Sequence, residues 1–128
     1  MAKIMIQVGD EEFEGTLDEE SAPETMRKIL DALPIEATAN TWGEEIYFRI
    51  PVDMDLENGV ETVRVGDLGY WPDGRAFCMF FGKTPVTMSL DEIKPASAVS
   101  PIGRIENAEG LKRHSAGETV RITAGGFR

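Results

Sequence analysis

The stretch GDLGYWPDGRAFCMFFGKTP, residues 66–85, contains the clearest fold signal in the chain. Turn-forming residues lie on both sides of the aromatic pair Tyr70-Trp71. The run AFCMFF, residues 76–81, is apolar on both faces, which is typical of a strand that is covered on both sides. The stretch therefore predicts a buried strand inside a sheet, preceded by a loop that carries Tyr70 and Trp71.

Further short strands are predicted on both sides of this stretch, because apolar and polar residues alternate between turn signals. In the segment TWGEEIYFRIP, alternation places Ile46, Phe48 and Ile50 on one face and Glu45, Tyr47 and Arg49 on the other. The other predicted strands are KIMIQV (3–8), FEGTL (13–17), VETVRV (60–65), AVSPIGRIE (98–106) and ETVRITAG (118–125).

One main helix is predicted at about residues 21–33. Ser21 and Glu24 have the spacing of a capping box, Pro23 suits the first turn, and Pro34 ends the helix. The polar segment NAEGLKRHSAGE (107–118) predicts a short second helix or a turn. The fold class that follows is mainly β, with about eight strands, enough to close into a small barrel beside the main helix.

Length and charge limit the possible functions. The 128 residues predict a single domain, 1–128, and the net charge of −10 argues against binding to nucleic acid or to an anionic membrane surface. The beginning of the chain shows no signal-peptide pattern and no window is apolar enough to span a membrane, so a cytoplasmic location is predicted. The acidic runs at 10–14 and 18–24 are interpreted as solvated segments rather than metal sites.

No catalytic constellation emerges from the sequence. His114 is the only histidine and lies in a polar segment, so we expect it to be solvated. Cys78 is the only cysteine and has apolar neighbours, so we expect a buried, unreactive thiol. Glu44 and Glu45 are adjacent on a strand and point to opposite faces, so they cannot act as a carboxylate pair. Nucleotide-binding fingerprints are missing, and no catalytic residue, cofactor or metal is predicted.

Three blocks carry a resemblance that covers nearly the whole chain. They are NTWGEEIYFRIPV (40–52), the opening stretch (66–85) and KPASAVSPIGRI (94–105). In this order they resemble the small prokaryotic cyclophilin-like proteins, a family largely of unknown function. The resemblance implies a closed β-barrel flanked by a helix. A fainter similarity to true cyclophilins, the peptidyl-prolyl isomerases, is carried by APETMRKILDAL (22–33), FRIP (48–51) and GRAFCMFFGKTP (74–85).

The similarity to the isomerases implies only part of their site. Arg49 would correspond to the arginine that polarises the prolyl amide, and Phe77, Met79 and Phe81 would offer one face as a proline pocket. The segment KTPVTMSLDEI (83–93) lacks the tryptophan and histidine that isomerases place after this strand. The sequence therefore predicts a binding module without efficient isomerase activity. The alternatives are a weak isomerase or, by analogy of fold alone, an accessory domain of an amide-hydrolysing or carboxylase-type enzyme.

The candidate ligand-binding residues have two interpretations. The apolar side chains of the AFCMFF strand can fill the core, and the loop tryptophans Trp71 and Trp42 can close the barrel end or anchor a ligand. If the side chains converge on one outer groove, they would bind an extended peptide or a small anionic ligand, with Arg49 contacting its oxygens. We expect a monomer or a simple homodimer. The candidate set is Tyr47, Arg49, Tyr70, Trp71, Phe77, Met79 and Phe81.

Overall fold

A computed structural model describes residues 1–125 of the chain. Nine strands form one antiparallel sheet that curls into a nearly closed barrel, which confirms the predicted mainly β fold. The strands are β1 Ala2–Val8, β2 Glu11–Leu17, β3 Ile35–Thr38, β4 Asn40–Thr41, β5 Glu45–Arg49, β6 Asp67–Trp71, β7 Ala76–Phe80, β8 Ser100–Ile105 and β9 Thr119–Ala124. The described residues also form one α-helix, α1 Pro23–Ala32, and two short 3-10 helices, Pro72–Gly74 and Ala108–Arg113.

The strand order brings the two ends of the sheet together. The order is β3-β9-β1-β2-β8-β6-β7-β5-β4, so β3 and β4 are the edge strands. These two strands follow each other in the chain and are separated only by Ala39. Ala39 is buried, and its N–H donates to the carbonyl of Glu118 at 2.8 Å. The short connection between the edge strands therefore leaves little open edge for pairing with another chain.

The register of β5, β7 and β6 determines which residues share a face. Tyr47 pairs with Cys78, which pairs with Gly69, and Arg49 pairs with Ala76, which pairs with Trp71. These residues lie on the outer face of the barrel. The alternate positions point inward and belong to the main core, as Phe48 and Phe77 do with stacked rings 5.3 Å apart.

A second, smaller core covers the outer face of β7. Cys78 and Phe80 pack there against side chains from two connecting segments, among them Val63, Ile93 and Val99. The strand β7 is therefore covered on both faces, as its apolar run predicts. The prediction of a strand at 60–65 is wrong. This segment crosses over the barrel and forms only isolated bridges, in which the N–H of Val63 donates to Ile93 at 2.8 Å.

The helix α1 is shorter at its beginning than predicted, and the capping box is not formed. Ser21 donates to the carboxylate of Asp18 at 2.9 Å instead of capping the helix. The cap comes from a distant residue, because the carboxylate of Glu57 accepts the N–H groups of Glu24 at 3.1 Å and Thr25 at 2.9 Å. No helix among residues 1–125 is long and apolar enough to cross a membrane.

The prediction that His114 is solvated is wrong. Its side chain is only 6% exposed and lies between two carboxylates, with Glu11 at 2.7 Å from Nε2 and Glu118 at 2.8 Å from Nδ1. Burial alone would lower the pKa of His114, but the hydrogen bonds to Glu118 and Glu11 outweigh burial and raise it. The three side chains join the beginning of β2 to the segment before β9.

Candidate functional site

A small apolar cavity opens on the outer face of β5 and β6. Its volume is about 150 Å³. A wider groove of about 540 Å³ lies beside Asp18 and Arg104, but none of the buried polar side chains of the described chain lines it. The small cavity does contain such a side chain, Glu45, and is therefore the candidate site. Its lining residues are Trp42, Glu45, Tyr47, Trp71, Pro95, Ala96 and Val99.

The turn between β4 and β5 positions Trp42. The N–H of Trp42 donates to the carbonyl of Glu45 at 3.0 Å and closes the turn. Gly43 follows with a φ of 61°, a left-handed conformation that favours glycine. A Cβ on Gly43 would also lie only 2.8 Å from the carbonyl oxygen of Lys83, so the close approach of the two segments requires glycine here.

Tyr47 and Trp71 form two walls of the cavity. Their ring centroids are 6.3 Å apart and the rings are nearly perpendicular, at 82°. The indole N–H of Trp71 donates to the hydroxyl of Ser97 at 2.6 Å, and this hydroxyl donates to Asp73 at 2.9 Å. Both rings are half-buried. The hydrogen-bonded chain holds the orientation of the indole ring at the cavity.

Gly74 leaves room for the ring of Trp71. A Cβ on Gly74 would lie 2.5 Å from Cζ3 of Trp71, which is closer than the two atoms can approach. The 3-10 turn Pro72–Gly74 therefore allows the indole ring to pack directly over the backbone.

The carboxyl group of Glu45 is the one charged group at the cavity among residues 1–125. Glu45 is only 5% exposed, and no Lys, Arg or His of these residues forms an ion pair with it. Burial raises the pKa of Glu45 to about 7, and the neighbouring thiol of Cys78 offsets part of this rise. The carboxyl group therefore changes its charge close to neutral pH.

Cys78 lies behind Glu45, in the outer core. It is fully buried, and burial raises the pKa of its thiol well above the ordinary value, with the neighbouring Glu45 adding to the rise. This placement confirms the prediction of a buried cysteine. Among the described residues, no group of three or more His, Cys, Asp or Glu side chains is arranged to hold a metal ion.

Three of the predicted ligand-binding residues lie on this outer face. Tyr47 and Trp71 line the cavity together, and Trp42, which was considered with them, lines it too. Arg49 is exposed on the same face, in register with Ala76 and Trp71, but it is not among the lining residues.

The other four predicted residues are buried in the barrel. Phe77 and Met79 are fully inaccessible, and Phe81 is 6% exposed. Tyr70 and Trp71 were expected in a loop, which is wrong, because both lie in β6. Tyr70 is also inaccessible. Its hydroxyl donates to the carbonyl of Val52 at 2.6 Å and accepts the N–H of Met54 at 3.3 Å. These contacts hold the connection after β5 against the barrel.

Glu45 and Pro95 line the cavity but were not predicted as site residues. The alternation that places Glu45 on the outer face with Tyr47 was visible in the sequence. Its burial could not be predicted from the local sequence, because the residues that pack over Glu45 lie about 50 positions later in the chain, around Pro95. An acidic residue next to Glu44 in an acidic chain is ordinarily interpreted as exposed.

Comparison with known proteins gives consistent results. The family model described as cyclophilin-like matches residues 2–123. The solution structure of a hypothetical protein from Archaeoglobus fulgidus is similar, with a TM-score of 0.80 and 49% sequence identity. The match covers 97% of this chain and 95% of the archaeal chain. No curated protein matches the chain.

Proposed function

The chain belongs to the cyclophilin-like family, and from this membership and the cavity geometry we propose that it binds a small ligand and lacks efficient prolyl isomerase activity. The observation that carries the proposal is the burial of Glu45 in an apolar cavity without a cationic partner among residues 1–125. Burying an unpaired carboxyl group costs stability. Titratable groups that lie in clefts and have a strongly shifted pKa are frequent at functional sites.

The size of the cavity supports a small ligand rather than an extended peptide. A volume of about 150 Å³ is enough for a molecule of the size of benzene. Pockets that enclose drug-sized ligands measure roughly 300 Å³ or more. We therefore expect the cavity to take a small molecule or a single head group.

The placement of the aromatic strand supports the absence of efficient isomerase activity. The side chains that would form the proline pocket, Phe77, Met79 and Phe81, pack inside the barrel core. Arg49 remains on the outer face, where its strand neighbour is the short side chain of Ala76. A single arginine without an apolar clamp would lower the roughly 20 kcal/mol barrier of prolyl isomerisation very little.

The ligand site can be tested by NMR with a set of small neutral, anionic and cationic fragments, each no larger than a substituted benzene. We expect fragments that bind to shift the indole N–H signals of Trp42 and Trp71 together. Glu36→Gln, a charge change on β3 away from the cavity, is the matched control and should preserve these shifts. Shifts that map to another surface, or no shifts at high fragment concentration, would contradict the proposed site.

The isomerase alternative needs a separate measurement. Exchange between the cis and trans forms of a short Xaa-Pro peptide is followed by NMR with and without the protein. We expect no acceleration at catalytic concentrations, and no difference between the wild type and Arg49→Ala. Catalysed exchange that disappears in Arg49→Ala would establish a weak isomerase instead.

A further inference from the structure

We propose that the cavity recognises a methylated ammonium group on a small molecule, with Trp42, Tyr47 and Trp71 as an aromatic cage and the carboxylate of Glu45 as the counter-charge. This inference rests on the proposed function, because it assigns a ligand class to the same cavity.

The aromatic walls have the arrangement that a cation requires. A cation is attracted to the face of a tryptophan or tyrosine ring when it lies within about 6 Å of the ring centroid. Tyr47 and Trp71 stand nearly perpendicular with centroids 6.3 Å apart, so a group seated in the corner between them reaches both rings. Trp42 lines the same cavity from the turn before β5. The hydrogen bond of Trp71 to Ser97 fixes one wall in advance of binding.

The charge of the cavity selects against anions. Glu45 supplies the one formal charge among the lining residues, and it is buried where attraction and repulsion are both stronger than in water. A small anion would be repelled by the ionised carboxylate. The exposed Arg49, which the sequence suggested as a contact for anionic oxygens, is not among the lining residues. The net charge of −10 adds a general attraction for cations.

The apolar walls favour a methylated cation over a bare ammonium ion. A primary ammonium group is strongly hydrated, and the rings and Pro95 offer few hydrogen bonds in place of the lost water. A methylated ammonium group combines a positive charge with an apolar surface, which matches the three rings and the single carboxylate. Aromatic cages are a recognised solution for such ions.

The charge state of Glu45 couples this binding to pH. The titratable groups that face it are the thiol of Cys78 on β7 and the phenol of Tyr47 beside it on β5, and the segment with Pro95 and Ala96 adds no charged side chain to the cavity. The pKa of Glu45 is about 7, so binding a cation must release a proton at lower pH. Affinity should therefore fall as the pH drops below that value, by about tenfold in total, which is the part of the affinity that the carboxylate charge supplies.

Tryptophan fluorescence can measure binding, because the chain has two tryptophans and both line the cavity. Three compounds are titrated at about pH 8: choline, its neutral isostere with a tert-butyl group in place of trimethylammonium, and ethanolamine. Calorimetry supplies a second readout. We expect choline to bind about tenfold more tightly than the isostere, and ethanolamine to bind more weakly than choline.

Three variants test the assigned roles. Glu45→Gln should lose most of the preference for choline and keep its affinity for the neutral isostere, whereas Glu44→Gln, an equal charge change one residue away and outside the cavity, should keep the preference. Tyr47→Leu, which retains apolar volume without an aromatic face, should also reduce the preference. Circular dichroism of each variant checks that it is folded, and Tyr47→Leu keeps the test decisive if Glu45→Gln does not fold.

The outcomes separate this inference from the proposed function. Equal binding of choline and its isostere, or an unchanged preference in Glu45→Gln, would overturn the cation cage and leave the ligand cavity in place. Failure of all three compounds and of the neutral and anionic fragments to perturb Trp42 and Trp71 would overturn both.

Discussion

Glu45 is the residue on which the chemistry of the cavity depends. Its side chain carries the charge, its burial places that charge in an apolar environment, and the aromatic rings beside it provide the rest of the surface. The thiol of Cys78 is its neighbour from the core side and donates to the backbone carbonyl of Ala76 at 3.9 Å. A carboxyl group in such a place costs the fold stability whenever it is ionised.

This cost predicts that Glu45→Gln changes the pH dependence of stability. The pKa of Glu45 in the folded protein, about 7, lies above its ordinary value of 4.5, so its contribution to stability is fully present below pH 4.5 and is lost as the pH rises through about 7. A shift of this size corresponds to at most about 3 kcal/mol. We expect the wild type to lose up to this amount relative to Glu45→Gln between acid pH and about pH 8.

Denaturant unfolding of the two proteins over this pH range provides the measurement. Below pH 4.5 the difference in unfolding free energy between the two proteins should no longer change with pH, and this range serves as the internal reference. A constant difference in unfolding free energy across the whole pH range would show that the carboxyl group does not titrate near neutral pH.

The face on which a residue of β5 lies follows from the alternation of apolar and polar residues in the sequence. Alternation predicted Tyr47 and Arg49 on one side of β5 and Phe48 on the other, and the structure has them there. The burial of Glu45 on the same side was not predicted. Alternation indicates which face of the strand a side chain occupies, but not which distant residues pack over that face.

Among the elements, α1 depends on a residue far from it in the chain. The carboxylate of Glu57 accepts the N–H groups of Glu24 and Thr25 and the hydroxyl of Thr25, and its own N–H donates to the buried Ser100. Burial raises the pKa of Glu57, but the hydrogen bonds from Thr25 and Glu24 outweigh it and lower the pKa. Glu57 thereby joins the helix, the connection after β5 and the strand β8.

Glu57→Ala should therefore destabilise the protein by about 1 kcal/mol, the usual cost of losing a helix cap. Glu61→Ala, at an exposed position in the same connection, is the control and should change the unfolding free energy little. Thermal or denaturant unfolding measures both. Equal stability of the two variants would mean that the cap from Glu57 does not contribute in solution.

The turn between β6 and β7 controls the position of Trp71. In Gly74→Ala the new Cβ would meet the indole ring at 2.5 Å, so the ring must move away from its hydrogen bond with Ser97. We expect a shift in the tryptophan emission spectrum and a loss of ligand affinity at the cavity. Gly59→Ala is the control, since the added Cβ there meets only the exposed side chain of Leu56, which can move.

An unchanged spectrum in Gly74→Ala would mean that the backbone of the turn, and not the ring, moves to relieve the contact.

The turn between β6 and β7 and the strand before it differ in how well the sequence predicts them. The turn Pro72-Asp73-Gly74 forms where its residue types predict a turn. Tyr70, in contrast, lies in the strand β6, although the turn residues on both sides of it predicted a loop.

For the whole molecule, the barrel core and the outer core lie on the two faces of β7. Cys78 is the one cysteine of the chain and lies in the outer core, 1% exposed. If the two cores form a single cooperative unit, labelling of Cys78 by a thiol reagent requires global unfolding. We expect the free energy of opening from labelling to equal the free energy of unfolding from circular dichroism.

A lower free energy from labelling would show that the segments over β7 open while the barrel stays folded. This outcome would also affect the cavity around Glu45, because Pro95 and Val99 belong to the segment that would open.

Local patterns in the chain predicted six of the nine strands, the main helix, the barrel and the family, because these depend on alternation, turn residues and long motif blocks. The strands β3, β4 and β6 were not predicted, and the strand predicted at 60–65 is not formed. Which outer-face residues form a cavity depends on the packing of segments that are distant in the chain. Trp42, Tyr47, Trp71 and Pro95 meet around Glu45 because the register of β5, β7 and β6 and the crossing segment bring them together. The same packing buried Tyr70 and His114, since burial depends on residues far apart in the chain that the local pattern does not contain.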